Sequence, residues 1–466
     1  MISANEFQAR RNKVFDEMDE ESILILYAGV AKKLSYDETY PFEVNRNFYY
    51  LTGVEQEGAI LMLVLTDGLR KEYLFIPPFD AVKEKWYGKR LIADDAKAIS
   101  GIRNILYEGA FQSRLDGLLS ESSGDYGAMK TVYMDLDKEN KIAEETSTKE
   151  AAKSLEIAYP GVTVKDIYPV IVRHRLVKSP AEIAEFEKAI EHTRLGIQAV
   201  MSYARAGVYE YELADIFLRV INDDSAYQGL SFNTIMASGR NAATLHYPKP
   251  LSQIGPNSLL LMDLGAKHGY YCADISRTIP VSGKFDDFQR TLYSIVLGCN
   301  KAVASFAKPG LTINQLQEFT KEYLAARCLE KGIIEKKEDI DKYYFHGVSH
   351  HIGLDTHDAG GKKDIPLEPG MVISDEPGVY KEGRYGIRIE TILLTVPKME
   401  TEDGKFLGFE PLTFVPLDPE LIDPKYLTPK TRDLLNAYHK EVCEKITPLL
   451  PTEEERAWLK EQCKEI

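Results

Sequence analysis

Four of the chain's nine histidines stand within twelve positions, in the stretch HGVSHHIGLDTHD: His346, His350, His351 and His357. Imidazole exchanges its proton near neutral pH and is the commonest nitrogen ligand of metals. The stretch is therefore a candidate for metal binding or proton transfer, with a polar loop as the bland alternative. Carboxylates elsewhere bear on the choice. Asp263 follows the apolar run LLLM, and Asp274 lies inside YYCADIS. If these segments form a hairpin turning at His268-Gly269, where Gly accepts φ > 0 and His tolerates it, Asp263 stands directly opposite Asp274, with Cβ atoms about 5 Å apart. Like charges so opposed destabilise a sheet, and the flanking leucines argue for burial, which ionised carboxylates resist. Three ways out are open: a different register, a shared proton, or a cation between the two.

A second pair of segments repeats the arrangement. SDEPGVY places Glu376 after GMVIS, and GIRIET places Arg388 and Glu390 two apart, on one face of a strand. Ile387 and Ile389 then face the opposite way, into a core. Alone, EPG is an ordinary turn and R-x-E an ordinary solvated strand face. Together, Asp263, Asp274, Glu376 and Glu390 carry charge that two divalent cations would balance, and one histidine of the opening stretch supplies a nitrogen ligand. Carboxylate-rich ligation with a single imidazole favours Mn2+, with Co2+ or Zn2+ as alternatives. Two such ions about 3.5–4 Å apart can acidify a shared water and clamp a tetrahedral intermediate, which is hydrolytic chemistry. Arg388, a permanent cation beside the carboxylates, is expected to hold one of them in a bidentate fork, substrate contact being the lesser alternative.

The elements that must position these groups fall into two patterns. Over the first 170 or so residues, FQARRNKVFDEM reads as an amphipathic helix, and SILILYAG, AILMLVLTDG, EYLFIPP and TVYMDLD read as short apolar strands. That alternation predicts an α/β domain. PVIVRHRLVKSP reads as a connector. Ser179-Pro180-Ala181-Glu182 then gives a helix start with a Ser cap, Pro at the first helical position and Glu three after the cap. YEYELADIFLRVI, FQRTLYSIVLGCNKAVASFA and INQLQEFTKEYLAARCLEKG read as further helices. NSLLLMDLG, GYYCADISRTIPV, GMVISDE and GIRIETILLTV read as antiparallel strands. The expected division is an N-terminal α/β domain over 1–172, an α+β domain with the chemistry over 173–412, and a helical extension over 413–466. GPNSLLLMDLG with GYYCADISRTI echoes EPGMVISDEPG with GRYGIRIETI, hinting at two pseudo-symmetric halves.

The bulk properties narrow the class. Over 466 residues, a net charge of −15 argues against a nucleic-acid or membrane-surface partner. The longest apolar run, AILMLVL, is too short to span a bilayer. The five cysteines are scattered and form no CxxC, which fits a reducing, cytoplasmic setting.

MDLGAKHGYYCADISRTIPVSGKF, HGVSHHIGLDTHD, EPGMVISDEPGVY and GIRIE, in this order and spacing, resemble the pita-bread metallopeptidases. YPFEVNRNFYYLTG, KWYGKRL and the tail FLGFEPLTFVPLD…LLNAYHKEV are similar to the aminopeptidase P branch, so the resemblance covers nearly the whole chain. It implies a creatinase-like N-terminal domain, a pita-bread catalytic domain with a curved antiparallel sheet, and five metal ligands. Asp274 and Glu390 would bridge two ions, Asp263 would complete one site, and His350 and Glu376 the other. Creatinase-like relatives without metal keep the fold but lack these ligands. The resemblance further places His246 near the leaving group and His357 at the scissile carbonyl, with Glu376 shuttling a proton. It leaves His346 as a substrate-pocket or proton-relay residue, packing being its alternative. His351 has no matching role and is expected beside the ligands or at the surface; His174, His192, His268 and His439 are expected to be structural or exposed. Trp86 either reaches a neighbouring subunit's site in a homodimer or homotetramer or is an ordinary buried tryptophan. The implied reaction removes the N-terminal residue from peptides with proline second. A dipeptide-only Xaa-Pro dipeptidase and a non-catalytic binding protein are the alternatives, separated by activity on tripeptides and by metal content.

Overall fold

The computed structural model describes residues 2–120, 129–136, 147–222, 229–360, 364–402, 404–450 and 452–466. They fall into two compact units, Met1–Arg175 and Leu176–Ile466. The first is built on one sheet of β1 (Ser22–Tyr27), β2 (Ile60–Thr66), β3 (Leu69–Ile76), β4 (Asn104–Tyr107), β5 (Thr131–Met134) and β6 (Thr163–Asp166), in the order β4-β3-β2-β1-β5-β6. β1 is antiparallel to β2 and parallel to β5, so the sheet is mixed. All seven residues of β2 are buried, which is why that strand reads as a continuous apolar run rather than an alternating one. The expected strand TVYMDLD forms β5; its last residue, Asp137, lies outside the described residues. PVIVRHRLVKSP is not the plain connector its sequence suggested. Tyr168–Leu176 is a helix, tolerated because Pro169 sits in the first turn, where a missing N–H costs nothing.

The second unit opens on helix Pro180–Tyr203, with Ser179 and Glu182 forming the expected capping box. Helices Glu210–Ile221, Asp287–Ala304 and Ile313–Glu330 follow. Its strands are β7 (Ile235–Ser238), β8 (Leu259–Leu264), β9 (Lys267–His268), β10 (Tyr271–Cys272), β11 (Ile275–Pro280), β12 (Lys308–Pro309), β13 (Val372–Asp375), β14 (Gly378–Lys381), β15 (Tyr385–Arg388), β16 (Thr391–Thr401) and β17 (Gly404–Pro411). Two ribbons dominate, and they are built alike. In the first, an outer antiparallel pair β8–β11 encloses an inner pair β9–β10; in the second, β13–β16 encloses β14–β15. This is the echo seen in the sequence. Helix Pro429–Ile446 sends Leu435, Tyr438, Val442 and Ile446 into the same core cluster as Ile373, Ile387 and Ile389 of the second ribbon.

Candidate metal centre

Three of the four acids sit where an outer strand pair hands over to an inner one. Asp274 falls between β10 and β11, Glu376 between β13 and β14, and Glu390 between β15 and β16; Asp263 is near the end of β8. The first ribbon does not have the expected register. Its loop is Gly269-Tyr270, with φ of 54° and 65°, the left-handed pair a two-residue type I′ hairpin needs. Asp263 therefore pairs with Ser276, not Asp274. The partner shifts by two residues, and a shift of two preserves the face, so Asp274 stays on the same side as Asp263, on the diagonal. The directly opposed acids occur in the second ribbon. The pairs Asp375↔Thr391 and Gly378↔Arg388 carry one register across the gap and set Glu376 opposite Glu390.

Asp274, His350 and Glu390 each offer a ligand atom within 4.8 Å of the others. His350 Nε2 lies 3.4 Å from Asp274 Oδ2 and 3.5 Å from Glu376 Oε1. Its Nδ1 is 3.0 Å from the His351 carbonyl oxygen. A carbonyl only accepts, so Nδ1 carries the proton and Nε2 is free to ligate. Asp263 Oδ2 takes Arg388 Nη2 at 2.5 Å. The expected bidentate fork is not formed, because Arg388 spreads its donors over three acceptors: Nε goes to Ser276 Oγ at 2.8 Å and Nη1 to Tyr380 Oη at 3.0 Å.

Burial pushes Asp274 well above the usual carboxylate range, and the charges of Asp263 and Glu376 push it further. Glu390 is raised the same way, by burial and then by Asp274, Glu376 and Asp263. One guanidinium does not neutralise the four carboxyl groups gathered here. Asp263 Oδ1 and Glu390 Oε1 are buried and have no hydrogen-bond partner among the described residues. Crowded, desolvated carboxylates with spare oxygens beside a free imidazole nitrogen fit a divalent-cation site.

All five expected ligands line one cavity of about 750 Å³, together with His246, His346, His357 and Arg388. Phe232, Ile235, Leu245, Pro248 and Ile313 supply apolar wall. The His357 ring centroid is 4.3 Å from that of His350, and burial, then the His350 charge, lowers the His357 pKa. His346 Nδ1 donates to Gly347 O at 2.8 Å, and its Nε2 accepts from Tyr380 Oη at 2.9 Å. Burial lowers its pKa as well, and Nδ1 is 3.7 Å from Glu376 Oε2. His351 is buried rather than at the surface; it also lines the cavity, with a pKa pushed down to about 4 by burial. His174 Nε2 lies 2.7 Å from Glu17 Oε1, His268 Nδ1 lies 2.5 Å from Glu185 Oε2, and His439 is buried. Trp86 is not a buried tryptophan: it lies on helix Ala81–Tyr87 with 78% of its surface exposed, and the residues lining the cavity all belong to the second unit.

Sequence reasoning missed Ser276, Ser374 and Tyr380. Ser276 Oγ donates to Glu390 Oε2 at 2.8 Å. Ser374 Oγ accepts from His350 N at 3.0 Å and donates to Glu376 Oε1 at 3.2 Å. A signal existed for the serines. Ser276 is two after Asp274 and Ser374 two before Glu376, so strand periodicity puts each beside a ligand.

Residues 184–397 match Metallopeptidase family M24, residues 7–126 the aminopeptidase P N-terminal domain, and residues 405–466 the C-terminal region of peptidase M24. The chain is 32% identical to the Xaa-Pro aminopeptidase of Haemophilus influenzae, over 84% of this chain and 92% of that one. It is 32% identical to the Xaa-Pro aminopeptidase of Escherichia coli, over 81% and 87%. Among solved structures it is similar to a Bacillus anthracis chain assigned to aminopeptidase P, at 38% identity, TM-score 0.83 and coverage of 93% and 99%. It is also similar to Escherichia coli aminopeptidase P solved with the inhibitor Pro-Leu, at 29% identity, TM-score 0.77 and coverage of 94% and 99%.

Proposed function

The chain belongs to metallopeptidase family M24, in its aminopeptidase P branch, with a pita-bread catalytic fold, and from this we propose that it removes the N-terminal residue from peptides whose second residue is proline. The observation that carries the reading is the meeting of Asp274, His350 and Glu390 within 4.8 Å at the wall of a partly apolar cavity. Asp263, Asp274, His350, Glu376 and Glu390 would hold two divalent cations, Mn2+ by donor chemistry, with Co2+ or Zn2+ as alternatives. When bound, such a pair supplies Lewis acidity, which acidifies water and polarises a carbonyl.

The chain's own groups do the rest. Glu376, oriented by Ser374, takes the proton of the attacking water and passes it toward the leaving nitrogen. That nitrogen belongs to a tertiary amide and has no N–H, so the site recognises the ring rather than a donor. The apolar wall of Phe232, Leu245 and Pro248 suits a pyrrolidine. His357 donates to the scissile carbonyl oxygen as it gains charge, and a lowered pKa keeps it a neutral donor. His246 faces the leaving side. His346 is held by Tyr380 beside Glu376 and serves the proton's exit. Arg388 fixes Asp263 against the substrate's α-amino group.

The dipeptidase alternative is disfavoured by charge. An enzyme restricted to dipeptides needs a cation for the product's carboxylate. Among the described lining residues the one guanidinium is Arg388, and its donors are already engaged. Assembly as a homodimer or homotetramer is part of the proposal, supported by Tyr36, Phe79, Trp86 and Tyr87, each more than two-thirds exposed on the first unit. Cytoplasmic residence rests on five free thiols; among the described residues no helix is long and apolar enough to cross a membrane. The test is to incubate Mn2+-loaded protein with Xaa-Pro-Yaa and Xaa-Pro peptides and identify the products. Release of free Xaa from the tripeptide is expected; cleavage of the dipeptide alone would assign the dipeptidase reaction instead.

A further inference from the structure

Glu210 opens helix Glu210–Ile221 and is 0% exposed. No step above uses it, yet its carboxylate receives five hydrogen bonds. Ser238 N, Ser238 Oγ and Asn241 Nδ2 reach Oε1 at 2.7, 2.8 and 2.9 Å, and Tyr247 Oη and Ser252 N reach Oε2 at 3.0 and 3.1 Å. All five donors lie in residues 238–252, the segment that carries His246 and Tyr247 to the cavity wall. Ser238 ends β7, and beyond it and the short turn Gly239–Ala243 no residue of the segment lies in a helix or strand. Asn241 Nδ2 also reaches Tyr247 Oη at 3.0 Å and Ser252 Oγ at 2.9 Å, tying the two ends of the loop together.

We propose that Glu210 is a positioning residue for the active site: it holds 238–252 in the single conformation that sets His246 against the substrate. The chemistry demands a carboxylate. Each oxygen takes a backbone N–H, Ser238 on one and Ser252 on the other, and a backbone N–H cannot reverse its role. A glutamine, whichever way its amide turns, opposes an NH2 to one of them and leaves buried donors unpaired, which is costly.

The role rests on the reaction assigned above, so the test has an arm that does not. In metal-free protein, Glu210→Gln is expected to speed hydrogen exchange at the amides of 238–252 while exchange in helix Asp287–Ala304 stays as in wild type. With metal, Glu210→Gln is expected to lower kcat/KM on an Xaa-Pro-Yaa peptide by about 10- to 100-fold. In a His246→Ala background the same change should cost less than about twofold, because the group it positions is gone. If Glu210→Gln does not fold, Ser238→Ala, which removes the hydroxyl donor to Oε1 and spares the carboxylate, takes its place in both arms. Unchanged exchange at 238–252, or a full loss repeated in the His246→Ala background, would overturn the proposal. Wild-type protein that leaves the peptide uncut would overturn the assigned reaction, and the exchange arm would still decide whether Glu210 holds the loop.

Discussion

Serine hydroxyls orient two of the carboxylates that surround the candidate centre. Ser374 Oγ stands between His350 N and Glu376 Oε1, and Ser276 Oγ between Arg388 Nε and Glu390 Oε2. A ligand fixed by such a hydrogen bond loses less freedom when it binds a cation. Ser374→Ala removes the donor to Glu376 and strands the His350 N–H. Mn2+ affinity, followed by calorimetry, is expected to fall about 10- to 100-fold; an unchanged affinity would mean the serine is a bystander. The acids and histidines were legible in the sequence because their types are costly to bury without a purpose. The serines were legible only in part: strand periodicity sets each beside a ligand, but which oxygen each hydroxyl serves depends on the register. Arg388 was legible as a clamp but not in its geometry: Ser276, far away in sequence, and Tyr380, on the paired strand of the same hairpin, compete for its donors.

The two ribbons share one device, a break between an outer and an inner strand pair where acids turn into the cavity. In the first ribbon the break is made possible by Gly265. A Cβ there would come within 2.0 Å of the Ala273 carbonyl oxygen, which belongs to backbone and cannot swing aside. Gly265→Ala should therefore part the strands that carry Asp263 and Asp274. A stability loss of about 1–3 kcal/mol and weaker metal binding are expected together, by denaturant titration and calorimetry; loss of neither would show that the close approach is not needed. Strand identity and the acids' shared face were readable from apolar runs and alternation. The register was not. KHGYYC offers two adjacent two-residue loops, and the chain takes the one that puts Tyr270 at a φ of 65°. Tyr270 is 3% exposed, and its burial offsets a backbone conformation that propensity alone disfavours.

Across the second unit, the strands that carry the candidate ligands and the C-terminal segment form one body. Arg277 donates to Ser276 O and Glu390 O on one side and to Val415 O on the other, and Tyr438 donates to Thr413 O and Val415 O. Beside Tyr438, His439 has its pKa pushed down to about 4 by burial and then by the Lys301 charge. Between that value and the ordinary 6.5, the unfolded chain binds a proton that the folded chain refuses. Stability is thus full above about pH 6.5 and falls as pH drops toward 4, on the order of 3 kcal/mol from this group. Metal-free His439→Leu should lose less stability than wild type over that window in urea titrations; parallel losses would acquit His439. The whole account rests on paired cations drawing those carboxylates together, and it is tested most directly by counting them. Titration of metal-free protein with Mn2+, followed by calorimetry and paramagnetic resonance, is predicted to give two ions per chain with a spin-coupled signal, and Glu390→Gln to abolish the coupling. No tight Mn2+ binding, or an unaltered signal in Glu390→Gln, would contradict it.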